Sequence, residues 1–185
     1  MLVKRYLSNV SAVLFVMLTA ASAAAQGTHG VHFGLSGTAI FPTEEARRDF
    51  ATGWGGSAMV IFNPPISPVG VRAEGTYIGM ESNSSRGVTR VRIASGTANV
   101  VVSPRRLLAT PYFIGGVGAY GLSFTSSSRA APYSGDQTKL GWNAGGGIAV
   151  PLGTKSSLFV EARYHSVQAD TGRFTFVPVS VGVVF

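Results

Sequence analysis

The last ten residues, Phe176-Val177-Pro178-Val179-Ser180-Val181-Gly182-Val183-Val184-Phe185, decide how the chain is read. Valine fills positions 177, 179, 181 and 183, while Pro178, Ser180 and Gly182 lie between them. A period of two marks a strand with two unlike faces. The valine row runs into a terminal aromatic with no polar residue after it, so this face calls for an apolar surrounding of its own.

The same period recurs upstream. In Val31 to Phe41 the odd positions hold Val31, Phe33, Leu35, Gly37, Ala39 and Phe41, and the even ones His32, Gly34, Ser36, Thr38 and Ile40. Comparable alternation follows over about Phe50 to Phe62, Gly70 to Met80, Thr89 to Val102, Pro111 to Phe124, Thr138 to Leu152, Ser156 to Val167 and Phe174 to Phe185, which predicts eight strands. Asn63-Pro64-Pro65, Pro104-Arg105-Arg106 and Gly153-Thr154-Lys155 are turn signals. Thr43 to Asp49, Glu81 to Val88, Thr125 to Gln137 and Gln168 to Arg173 are polar and loop-like, with Thr125 to Gln137 the longest of them.

Eight antiparallel strands can form a water-soluble sandwich or barrel with a dry interior, or a membrane barrel turned inside out. Charged residues make up only 12% of the chain, well below what a solvated surface carries. The sparse polar face holds Arg72, Glu74, Lys139, Asn143, Glu161, Arg163 and His165, whereas the opposite face carries Leu, Val, Ile, Tyr, Trp and Phe on nearly every strand. The second architecture fits: an all-β, eight-stranded antiparallel transmembrane up-and-down β-barrel. Closure leaves no unpaired edge in lipid. Aromatics fall at strand ends, as interfacial girdles require: Phe41, Phe50 and Phe124 at one end, and Phe62, Tyr112 and Phe185 at the other. Val177, Val179, Val181, Val183 and Phe185 become the lipid-facing row of the closing strand.

Residues 1–25 are different in kind. Lys4 and Arg5 precede an apolar run from Ala12 to Leu18, and small residues end in Ala23-Ala24-Ala25. This is the pattern of a secretory signal peptide, too short to span a bilayer, and predicts a mature barrel domain over residues 26–185. The mature part keeps thirteen basic and eight acidic residues, a charge of +5. Export removes nucleic acid as a partner, leaving anionic lipid headgroups or sugars as what this basic balance meets. There is no cysteine, so hydrogen bonding and burial alone must hold the fold.

Several segments together carry a family likeness: Val71-Arg72-Ala73-Glu74-Gly75-Thr76-Tyr77, Pro111-Tyr112-Phe113-Ile114-Gly115-Gly116-Val117-Gly118, Gly141-Trp142-Asn143-Ala144-Gly145-Gly146-Gly147, Val160-Glu161-Ala162-Arg163-Tyr164 and the terminal Phe185. With these the mature chain resembles the outer-membrane protein β-barrel domain family, the small eight-stranded porin-like proteins of Gram-negative bacteria. The resemblance implies an outer-membrane location, lipid and lipopolysaccharide as surroundings, and a monomer. It also implies that Val179, Val181, Val183 and Phe185 form the C-terminal signal met by the barrel assembly machinery during insertion. No cofactor follows from it, and activities within such a family diverge widely.

Individual motifs have competing readings. Gly116-Val117-Gly118-Ala119-Tyr120-Gly121 has the spacing of a dinucleotide site, but such a site needs a helix N-terminus after the glycines, and Leu122-Ser123-Phe124 continues the alternation. These glycines, like Gly145 to Gly147, are expected to let strands approach closely in a narrow barrel. Arg72 with Glu74, and Glu161 with Arg163, set opposite charges two residues apart on the inward face. They are expected to pair as a plug, or to gate a narrow path for ions or small solutes. Gly145 and Gly147 should face Arg163 and Glu161 across the Gly153-Thr154 hairpin and leave them room. His165, Ser166 and Glu161 raise the possibility of a lipid A-modifying enzyme, yet neighbours on a strand point to opposite faces, which separates a nucleophile from its base. His32 is expected in the lumen, and the three histidines are too scattered for a metal site. Arg86, Arg90 and Arg92 gather towards the outer rim, where lipid A phosphates would meet them. The facing of their strand is open, because Val91 and Ile93 compete with Val100 and Val102 for one side.

Overall fold

The computed structural model describes residues 30–42, 53–64, 67–82, 89–104, 109–126, 133–153, 156–169 and 172–185. The expected signal peptide, Phe50 and Arg86 lie outside the described residues. Eight strands run in chain order: β1 (Val31–Pro42), β2 (Gly53–Phe62), β3 (Val69–Ser82), β4 (Thr89–Val102), β5 (Thr110–Ser126), β6 (Tyr133–Pro151), β7 (Ser157–Ala169) and β8 (Gly172–Val184). Each pairs antiparallel with the next, and β8 pairs back to β1, closing the barrel. Closure continues past the last strand residue, for the Phe33 and Phe185 backbones exchange two hydrogen bonds of 2.9 and 2.8 Å. Both termini of the described barrel lie at this end, where the Asn63 amide also bonds to the Gly30 carbonyl at 2.8 Å.

The outside of the barrel is apolar. Trp54, Phe113, Val117 and Leu140 are exposed by 65 to 75%, and Leu35, Phe62, Val71, Tyr77, Ile148, Val160, Val181 and Phe185 also face outward. A water-soluble protein would bury this set, whereas acyl chains solvate it. Aromatics border the band: Phe62, Phe113 and Phe185 at the terminal end, and Trp54, Tyr77, Trp142 and Tyr164 toward the other, the last two with ring centroids 5.6 Å apart. Tyr112 is not in the girdle. It faces inward and is buried, because its neighbour Phe113 takes the outward parity.

At the far end the polarity reverses. Ile40, Ile78, Met80, Val91, Ile93, Tyr120, Leu122, Val167 and Phe176 pack together inside the barrel. On the outward face Arg90, Arg92, Thr125, Thr138, Gln168 and Arg173 are exposed. This settles β4: Val91 and Ile93 point in, Val100 and Val102 point out, and the arginines share the outer face with the latter. The strands have left the hydrocarbon here, so water and headgroups take the outside and apolar burial moves to the inside. Strand length agrees, since β5 and β6 have 17 and 19 residues where a tilted strand needs about 9 to 11 to cross.

The same reversal explains why the ladder extends into two polar segments that read as loops. The β5–β6 ladder continues through Leu122↔Gln137 up to Ser126↔Tyr133, so most of Thr125 to Gln137 is strand. Gln168 pairs with Arg173 and Ala169 with Gly172, so the β7–β8 ladder runs into the segment expected as a loop. Gly172 there has φ +143°, a backbone angle that suits glycine.

Candidate functional site: a closed lumen

The inward face is built by parity. On β3 this face holds Arg72, Glu74, Thr76, Ile78 and Met80, and on β7 it holds Phe159, Glu161, Arg163, His165 and Val167. β3 and β7 stand four strands apart in a ring of eight, directly across the lumen, and run in the same direction. Arg72 Nη2 donates to Glu161 Oε1 and Oε2 at 2.7 and 2.8 Å. Arg163 Nη2 donates to Glu74 Oε1, and Arg163 Nε lies 2.8 Å from Glu161 Oε1. Arg72 Nη2 also stands 3.1 Å from Glu74 Oε2, an ion contact without hydrogen-bond alignment. All four residues are at most 5% exposed. Two positive and two negative charges cancel, which is the condition for keeping ions in so dry a place.

Around this quartet, hydrogen bonds step across intervening strands. Tyr112 on β5 donates to Glu161 Oε2 at 2.8 Å, reaching over Gly147 on β6. Asn143 on β6 donates to Asn99 Oδ1 on β4 at 2.9 Å, over Gly116 on β5. The Tyr120 hydroxyl and His165 Nδ1 are 2.9 Å apart, and the Tyr120 ring lies against Gly141. A Cβ at Gly147 would sit 2.6 Å from the Tyr112 hydroxyl, so side-chain space is what these glycines provide. The glycine spacing at 116–121 lies within β5, with no helix after it.

Gly145 and Gly147 pair in register with Arg163 and Glu161. Lys139 is half-buried on the inward parity beside Tyr120, outside the quartet. His32 lies on the inward parity at the terminal end, half-buried. His165 points into the lumen and Ser166 points the other way, buried between Trp142 and Thr175 in register, so the two do not form a nucleophile–base pair. Among the described residues no group of His, Asp or Glu could hold a metal ion.

The apolar packing is what sequence reasoning missed. The expected plug is ionic, but the apolar cluster described above closes the far half of the lumen, and Met59, Ile61 and Phe159 with Ala149 and Val184 line the terminal half. Parity carried the signal: once Arg72 and Glu74 point inward, Ile78 and Met80 must follow. From the terminal end the lumen therefore runs through an open apolar mouth, the ionic layer and a dry cap. In an eight-stranded barrel, side chains suffice to fill such a bore.

An apolar exterior, aromatic borders and an ion-paired interior define a transmembrane β-barrel. Residues 11–185 match the outer membrane protein beta-barrel domain, and the chain belongs to that family; its place is the outer membrane. Among solved structures it is similar to Neisserial surface protein A, at 13% identity and a TM-score of 0.60, covering 85% of this chain and 97% of that one. A major outer membrane protein from Thermus thermophilus gives 15% identity and a TM-score of 0.59, over 85% and 99% of the two chains. Ail, the attachment invasion locus protein of Yersinia pestis, gives 16% and 0.52, over 84% and 97%. At these identities the likeness is one of fold. Among curated proteins no match was found.

Proposed function

We propose that this barrel is a non-conducting, non-enzymatic outer-membrane protein with a structural or surface-interaction role. The observation that carries the reading is the double closure of the lumen, by the Arg72–Glu74–Glu161–Arg163 layer and by the dry cluster around Ile93 and Tyr120. An ion crossing the second layer would have to shed its water among aliphatic and aromatic side chains, where the Tyr120 hydroxyl is already bonded to His165. The names of Neisserial surface protein A and of the attachment invasion locus protein accord with a role at the cell surface. A narrow porin is the competing function.

In this reading a cleaved signal peptide, residues 1–25, exports the chain, both termini of the barrel lie in the periplasm, and the monomer is the working unit. The assembly machinery meets Val179, Val181, Val183 and Phe185 on the closing strand. Arg90 and Arg92, exposed on the outer face of β4 above its apolar residues, meet phosphates of the outer-leaflet lipid. Planar-bilayer recording tests the central point: the purified barrel gives no steady current steps, and reproducible unit conductance would overturn it in favour of the porin. Mass spectrometry of lipid A after overexpression tests the enzymatic alternative, which an altered acyl pattern would establish.

A further inference from the structure

The open mouth at the terminal end is a dead end. It encloses about 270 Å³, with Ile61, Val101, Phe159 and Val184 among its walls and Arg72 and Tyr112 among its polar lining. Arg72 is 3% exposed, and its Nε–H has no partner although its Nη2 is shared by two carboxylates. The Tyr112 hydroxyl spends its proton on Glu161 and keeps a lone pair. Apolar walls with one donor and one acceptor among the polar groups make the usual plan of a small-molecule pocket.

We propose that this vestibule binds a small, neutral amphipath whose amide or hydroxyl head meets Arg72 and Tyr112 and whose aliphatic body lies against Ile61, Val101 and Val184. Neutrality follows from the quartet. Its charges already cancel, so a third carboxylate beside Glu74 and Glu161 would leave a net negative charge in a low-dielectric bore. An amide or alcohol offers an oxygen to the Arg72 guanidinium and a donor to the Tyr112 hydroxyl at no such cost. The dry cap makes the pocket a binding site and not a route, which takes the protein beyond a passive wall.

The test uses the barrel in lipid nanodiscs with methyl-labelled Ile and Val, titrated with hexanamide and with hexanoate. Hexanamide should shift the Ile61, Val101 and Val184 methyls saturably, with a midpoint on the order of a millimolar for a ligand of about eight non-hydrogen atoms. Hexanoate should bind at least tenfold more weakly. Ala149→Leu, which fills the vestibule from β6, should abolish the saturable shifts, and Ser157→Leu serves if that variant does not fold. The proposal is overturned if the shifts grow linearly and match those of lipid-facing Val117, if hexanoate binds as tightly, or if the filled variant responds unchanged. Bilayer conductance is a separate readout, so the closed lumen and the vestibule can fail independently.

Discussion

Arg72 on β3 and Glu161 on β7, 89 residues apart in sequence, meet across the lumen with one guanidinium nitrogen 2.7 and 2.8 Å from the two carboxylate oxygens. Glu74 and Arg163 repeat the contact one step along the same strands, at the same separation of 89 residues and with the charges exchanged. Neither strand is a ladder neighbour of the other, so these bonds tie together opposite walls that the backbone does not connect.

Removing one ion strands its partners. Glu161→Gln leaves Arg72 and Arg163 under-compensated in a dry bore and should lower stability by about 3 to 5 kcal/mol, read as a shift in urea unfolding in micelles. Exchanging all four charges, R72E, E74R, E161R and R163E together, preserves every cross-lumen attraction. That variant should be more stable than the single one; equal or greater loss would show that the pairs do not act as a unit.

Opening the ionic layer should not open the barrel. The Glu74→Ala, Glu161→Ala double variant is expected to stay silent in planar bilayers, because Ile78, Val91, Ile93 and Leu122 still seal the far half. Current appearing on loss of the carboxylates alone would place the barrier in the ions.

Facing can be tested by one substitution at two heights. Val117 lies midway along the apolar outer face of β5 and is 65% exposed, so Val117→Arg should cost about 2 to 4 kcal/mol or block insertion. Thr125→Arg, on the same face but above the apolar band, should change stability by no more than about 0.5 kcal/mol.

The glycines separate by the space behind them. A Cβ at Gly147 would lie 2.5 Å from the Val160 carbonyl oxygen and 2.6 Å from the Tyr112 hydroxyl, so Gly147→Ala should lose roughly 1 to 3 kcal/mol and the Tyr112–Glu161 bond. A Cβ at Gly115 meets only the Asn143 carbonyl oxygen at 3.6 Å, and Gly115→Ala should be near neutral in the same unfolding assay.

Deleting Phe185 removes the two backbone bonds to Phe33 that finish the β1–β8 seam. Assembly into proteoliposomes, followed by the gel shift of the folded barrel, should slow markedly, and an unchanged rate would remove the terminal residue from the insertion signal.

Strand number and closure could be read from the sequence because within the bilayer the two faces differ in kind: Val179, Val181 and Val183 against Ser180 and Gly182 leave one solution. Legibility fails where the surroundings change. Above the bilayer, Arg90 and Arg92 point outward and Val91 and Ile93 inward, the reverse of the rule that holds at Val100 and Val102, so one strand presents two contradictory patterns. Likewise the polar outer end of β5 and β6 reads as a loop, since composition there reports headgroups and water and not the absence of a ladder. Tyr112 misleads for another reason, because an aromatic at a strand end suits an interface until the parity of Phe113 claims it. The cross-lumen quartet was legible as a set of inward charges. Who pairs with whom required the ring of strands, although Val71-Arg72-Ala73-Glu74 and Val160-Glu161-Ala162-Arg163 are the same tetrapeptide with its two ions transposed.

That transposition also polices how the staves are offset when the cylinder closes. Sliding β7 against β3 by two positions would keep every side chain on its proper face, and lipid contacts alone would scarcely register the error. It would, however, bring Arg72 opposite Arg163, or Glu74 opposite Glu161, like against like in a medium that screens poorly. The four ions thus act as a checksum on barrel shear, rejecting miswound closures that the greasy exterior would accept.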